Sequence, residues 1–244
     1  MRNPITRIVG ASVISLILIL LMGNYALAAG SQSWYLTSTP AGIQAEDGTL
    51  HSANNIMNKI EPTSPWPGMR FIGAIGKSDL TAWWYSDSPA LGDVTFGENS
   101  WSAQLYYINL FGSGNLHAEV YSVSPDGFVI TLLATGTATV SWRDKYTQVL
   151  IECADYNGTT QTVPQGYYLA LRLRYDPAQF ADGIMLFFGS EQSPARLQSP
   201  PTDPGFPLPE LSTIVLLAGG LVSLAGYVGW RYRKRHTVKE VAMK

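Results

Sequence analysis

The residues of this 244-residue chain that could carry acid–base, nucleophilic or metal chemistry are few: three histidines, one cysteine and scattered carboxylates. His236 stands near the C-terminus. His51 and His117 stand alone, with no His, Cys or Glu at the spacing a zinc site needs. His117 falls on the polar side of an alternating stretch, where a surface histidine is expected. Cys153 follows Val149 and Ile151 in steps of two, so it reads as a small buried apolar residue. A single cysteine allows no intrachain disulfide. The chain has no Gly-x-Ser-x-Gly elbow, no compelling Ser/His/Asp order and no glycine loop shaped for phosphate. Asp87 and Asp93 flank Pro89, and Asp176 and Asp182 flank Phe180. Glycoside hydrolysis needs two carboxylates ~5–10 Å apart across a cleft, and these four read instead as solvated loop acids. Nothing in their spacing follows the EF-hand pattern for calcium. The expectation is a protein without enzymatic activity, metal site or cofactor.

Aromatic residues are the more suggestive set. Exposed Trp and Tyr rings offer an apolar face with a polar rim, which suits stacking on sugars. Trp66, in Ser64-Pro65-Trp66-Pro67-Gly68, and Trp142, beside Arg143-Asp144, fall in loops and are the candidate ligand platform. Trp101 and Tyr107 share one face of an alternating stretch, which assigns them to the core. Trp83 and Trp84 point to opposite faces, so one of them is expected to face outward. Asn157-Gly158-Thr159 is a glycosylation sequon in a turn, with Asn157 the acceptor.

The elements that position these residues follow a period of two. Over 167–175 one face reads Tyr167, Leu169, Leu171, Leu173, Tyr175, and the other Tyr168, Ala170, Arg172, Arg174. Similar alternation covers 101–107 and 115–123, separated by Gly112-Ser113-Gly114, a hairpin signal. Further strands are expected at 33–37, 69–75, 80–85, 94–96, 128–134, 136–141, 146–153 and 184–188, and a short helix at 52–60. Short strands with turn residues between them predict an all-β fold, a jelly-roll-like β-sandwich over 30–192.

The chain ends read differently. Arg2 and Arg7, the uncharged run 8–22 and Ala26-Leu27-Ala28 follow the order of a secretory signal peptide over 1–28, with an uncleaved signal anchor as the alternative. Residues 211–230 hold no charge and match the ~20 residues that cross a bilayer core as one C-terminal transmembrane helix. Arg231, Arg233, Lys234 and Arg235 follow at once, which assigns 231–244 to the cytoplasm and the domain to the outside. Between them, 193–210 carries six prolines and is expected to be an extended spacer. The stretch 30–205 holds ten Asp, six Glu, three Lys and five Arg, a net charge of −8. An acidic domain of this kind excludes nucleic acid as a partner.

Pro209-Glu210-Leu211, the Gly- and Leu-rich run after it and the basic cluster resemble the tripartite sorting signals of PEP-CTERM proteins in bacteria and of the PEF-CTERM type in archaea. The resemblance covers 209–244 alone. Leu211 stands where the pattern has Pro or Phe, and the tail runs on to Lys244. The resemblance implies a membrane-embedded processing enzyme of the exosortase or archaeosortase kind, cutting near Pro209 and Glu210 and passing the domain to the envelope. A permanent anchor is the alternative. The exported part resembles prokaryotic surface β-sandwich proteins of unassigned role. The expected function is a cell-surface protein with a structural or adhesive role, contacting a glycan or an envelope protein. The alternative is a surface carbohydrate-binding module using its exposed aromatics.

Overall fold

The computed structural model describes residues 30–46, 50–73, 80–97, 100–158, 160–178, 183–203 and 205–206. The expected signal peptide, the Pro209-Glu210 motif, the span at 211–230 and the basic tail lie outside the described residues. Among the described residues, no helix is long and apolar enough to cross a membrane.

Alternating sequence becomes strand throughout: β1 (Ser33–Pro40), β2 (Leu50–Asn58), β3 (Gly68–Gly73), β4 (Leu80–Ser86), β5 (Val94–Phe96), β6 (Trp101–Phe111), β7 (Gly114–Val123), β8 (Ile130–Val140), β9 (Arg143–Asp155), β10 (Gln161–Val163), β11 (Tyr168–Pro177), β12 (Gly183–Phe188) and β13 (Arg196–Gln198). The all-β expectation holds. Eleven strands form one sheet in the order β13-β1-β2-β4-β11-β7-β8-β9-β6-β12-β3. A second pairing of β13, with β6, turns that order back on itself as a barrel-like sheet. Among the described strands only β2 and β4 pair in parallel. The chain between them makes β3, which crosses over to pair with β12, and a parallel neighbour requires such a crossover. β5 and β10 form a separate ribbon whose Val94, Phe96 and Val163 reach into the core.

Inward-facing residues follow the period of two. Trp101, Ala103, Leu105 and Tyr107 of β6 are buried, as are Leu169, Leu171, Leu173 and Tyr175 of β11. Cys153 is buried beside Ile151 on β9. Each large apolar side chain taken fully out of water contributes ~1.5–3 kcal/mol. This core stands without a disulfide among the described residues.

Three expectations are corrected. The helix at 52–60 is instead strand β2 with residues beyond it, because the edges of β1 and β4 recruit this segment and Met57 fills a core position between them. The stretches 128–134 and 136–141 are not two strands but mostly one, β8. Gly136 there is no turn: a Cβ would stand 2.3 Å from the Glu152 carbonyl oxygen, so glycine lets β9 approach. The spacer expected from 193 onward joins the domain. β13 lies inside it, and Phe206 is 0% exposed within the main core. Prolines flank this strand rather than interrupt it, so its pairing survives.

The outer face of the sheet carries a second apolar cluster. Trp84 enters the main core, as expected for one of the pair, but Trp83 is also 0% exposed. It stacks on Tyr85 at 5.8 Å and 6° and meets Tyr121 at 5.2 Å. The Arg172 guanidinium lies 5.5 Å from the Trp83 ring and 5.1 Å from the Tyr121 ring, while pairing with Glu119. Residues 41–46 run over this cluster as a strap. They are held by Ala41 N–H to the Asn54 carbonyl (2.8 Å), Ala45 N–H to the Tyr85 hydroxyl (2.9 Å) and Glu46 N–H to the Gly127 carbonyl (2.9 Å). The sequence gives no hint of this cover, and without it Trp83 would face water.

Candidate functional site

The described structure has a cleft of about 350 Å³ where β1, the end of β2 and the end of β12 meet the loop before β3. Its floor is made by Leu36 and Phe188, and its polar wall includes Thr37, Asn58, Glu61 and Thr63. Trp66 stands on the rim, 81% exposed, and Ile60 lines it as an exposed aliphatic residue.

Local sequence fixes this rim. Pro62, Pro65 and Pro67 each restrict φ, which leaves the loop little conformational freedom to lose on binding. The Ser64 hydroxyl accepts the Trp66 N–H at 3.2 Å and donates to the Trp66 carbonyl at 3.0 Å. The Glu191 N–H donates to the Ser64 carbonyl at 3.1 Å, tying the loop to the turn after β12. Asn58 accepts the Ile60 N–H through its side-chain oxygen at 3.0 Å. The result is an indole face held out to solvent beside a polar trough, which suits a ligand with one apolar face and a hydroxylated edge.

Trp142 is not part of this cleft. It lies in the two-residue turn between β8 and β9, 56% exposed, with its carbonyl accepting from the Arg143 guanidinium at 2.9 Å. The register places the two tryptophans at opposite ends of β12: Gly68 pairs with Phe188, whereas Gly183 pairs with Phe111 near Arg143. The six residues of β12 span five rises between these ends, ~17 Å. The structure therefore does not bring Trp66 and Trp142 into one platform. Asn157 lies in the 3₁₀ turn Tyr156–Gly158 after β9. Pro209 and Glu210 lie outside the described residues.

The loop acids have local roles. The Asp93 carboxylate accepts the Gln165 N–H at 2.9 Å, and Asp87 accepts the Ser88 hydroxyl at 3.1 Å. Asp176 is different: it is a strand residue on β11, and Asp182 lies outside the described residues. One Asp176 oxygen stands 2.8 Å from His117 Nε2, and the other accepts from Arg174. His117 Nδ1 stands 2.8 Å from the Thr137 hydroxyl. Thr137, His117 and Asp176 thus lie in a row across β8, β7 and β11, in the order of a hydroxyl, a base and an orienting carboxylate. Sequence reasoning missed this row because only the strand register aligns 117 with 137 and 174. It stands on open strand surface away from the cleft, where it acts as a polar ladder joining three strands. Among the described residues, no group of three or more His, Cys, Asp and Glu could hold a metal ion.

No family model matches the chain, and no curated protein matches it. Solved structures with some likeness include a CocE/NonD family hydrolase from Staphylococcus aureus, 12% identical at a TM-score of 0.49, over 72% of this chain and 37% of that one. An aminopeptidase from a marine sediment Thaumarchaeota archaeon is 8% identical at 0.49, over 69% and 36%. A Clostridium thermocellum xylanase 10B fragment with CBM22-1 and GH10 modules is 12% identical at 0.30, over 73% and 27%. This chain spans about a third or less of each of those chains, and no function is transferred from them.

Proposed function

We propose that this chain is an exported, membrane-anchored cell-surface protein that acts by adhesion rather than catalysis, and that its contact is a carbohydrate held in the Trp66 cleft. The observation that carries the reading is the Trp66 ring, 81% exposed on the rim of a preformed cleft with a hydroxyl, amide and carboxylate wall. Among the described residues a single carboxylate, Glu61, lines that cleft, whereas glycoside hydrolysis takes two. Export and anchoring rest on the charge and apolar pattern of 1–28 and 211–235. The fold reading that accompanies them is a jelly-roll-like sandwich drawn closed at β13.

Glycan-array binding by the full chain tests the ligand. The native protein gives signal, Trp66→Ala loses it, and Trp142→Ala keeps it because Trp142 stands at the far end of β12. Absence of any glycan signal from the native protein overturns the reading. Processing by an exosortase- or archaeosortase-type enzyme is a separate part of the proposal, supported by the Pro209-Glu210 motif ahead of the span. Mass spectrometry of the mature protein then finds a C-terminus near Pro209, and a Lys244 terminus throughout rules it out in favour of the permanent anchor.

A further inference from the structure

We infer that the Trp66 cleft selects uncharged glycans and that Glu61 is the residue that rejects acidic ones, an inference that rests on the carbohydrate reading above. Among the described residues lining the cleft Glu61 is the one acid, and none is Lys or Arg. Two cations beside lining residues, in the chain or in the strand register, are committed elsewhere. Lys59 lies between two lining residues, Asn58 and Ile60, but its side chain goes to the other side. There its ammonium donates to the Phe206 carbonyl and stands 5.4 Å from the Trp34 ring. Arg196 pairs across from Tyr35, which lines the cleft, yet its guanidinium reaches the other way, to the Gln104 side-chain oxygen at 3.1 Å.

A carboxylated or sulfated sugar stacked on Trp66 would therefore meet Glu61 with no cation among the described lining residues to balance it. The domain around the cleft is itself acidic, with its net charge of −8 over 30–205. Glu61 is an exposed residue on the cleft wall; like charges brought together across a contact cost affinity, and removing one of them restores it. A neutral sugar meets no such penalty. For it, Glu61 is a hydrogen-bond acceptor beside Asn58 and Thr63.

The test uses the full chain in neutral detergent, followed by tryptophan fluorescence and calorimetry. Two pairs of probes differ in charge on the same backbone: a β-1,4-linked glucose hexamer against its C6-carboxylate form, and methyl-esterified hexagalacturonate against the free acid. In at least one pair the neutral probe binds, and its acidic partner binds at least about tenfold more weakly. In Glu61→Gln that gap, taken as the ratio of the variant's own two affinities, closes to within about threefold. Equal or tighter binding of the acidic probes, or a gap that persists in Glu61→Gln, overturns the inference and leaves the carbohydrate reading standing. No binding by any of the four probes, together with a blank array, overturns both.

Discussion

The ring of Phe206 meets that of Trp34 edge to face, with centroids 6.1 Å apart and planes at 68°. Trp34 in turn faces Trp101 at 6.3 Å, and Trp101 faces Phe96 at 4.7 Å. An aromatic chain thus runs from the end of the domain into its core. Phe206→Ala removes the outermost member and leaves a cavity, at an expected cost of ~3–5 kcal/mol. Urea denaturation followed by tryptophan fluorescence measures it. A segment acting as a free spacer would show no change.

Asp203, three residues earlier, holds this end in place. One of its oxygens accepts the Gly205 N–H at 2.7 Å and the Phe206 N–H at 3.2 Å. Burial pushes its carboxyl above the ordinary 3.8, partly countered by Ser199, those two N–H groups and Lys59. The folded chain therefore holds the proton at pH values where the unfolded chain releases it. Stability falls as pH rises from 3.8 through the raised value, and levels off above it. Lys59 behaves oppositely. Burial lowers its ammonium below 10.5, with Asp203 and Asp87 opposing, so its cost is relieved as pH rises through the lowered value towards 10.5. Asp203→Asn keeps the acceptor oxygen and removes the titration. The stability of the native protein relative to this variant then declines as pH rises from 3.8 through the raised value, as urea midpoints will show. A flat difference contradicts the assignment.

Two turn glycines separate backbone strain from steric contact. Gly127 has φ of 80° and Gly166 has φ of 83°, both left-handed. A Cβ on Gly166 meets nothing within 4 Å, whereas one on Gly127 would stand 2.0 Å from the Gln44 carbonyl oxygen. Gly166→Ala carries conformational strain alone, ~1–2 kcal/mol. Gly127→Ala carries that strain and also lifts the 41–46 strap from Trp83, Tyr85 and Tyr121. Its larger loss of stability comes with faster amide exchange at Ala45, whose N–H bonds the Tyr85 hydroxyl. Equal effects at the two sites would mean that the strap gives way without cost.

Where the sequence could be read, one physical rule did the reading. Period two assigns Leu169, Leu171 and Leu173 to one face of β11, and all three are buried. The same rule fails at Trp83, because it describes one strand and knows nothing of a strap arriving from forty residues away. It fails again at 196–198, a run of only three residues between prolines, where strand identity comes from β1 and β6 on either side. Trp66 was legible as a candidate because prolines around a tryptophan mark an exposed, stiff loop. Its separation from Trp142, and the alignment of Thr137, His117 and Asp176, depend on register between distant strands. No local pattern encodes that.

Cys153 supplies a chemical measure of how tightly the same core is closed. It is buried on β9, and its thiol is oriented towards the Ala118 carbonyl oxygen at 3.5 Å. Burial, with smaller contributions from the charges of Glu152 and Glu119, pushes the thiol up to about 12. The thiolate is the nucleophile, so the folded protein offers almost none below that pH. Alkylation by iodoacetamide at about pH 8 then proceeds only through opening of the β-sheet core. Its rate in increasing urea will track the unfolding transition seen by tryptophan fluorescence. Phe206→Ala will speed it in proportion to the stability lost where opening is global. Fast labelling of the native protein, unchanged by urea, would mean that β9 opens by itself and that β8 is too loosely joined to it to seal the core.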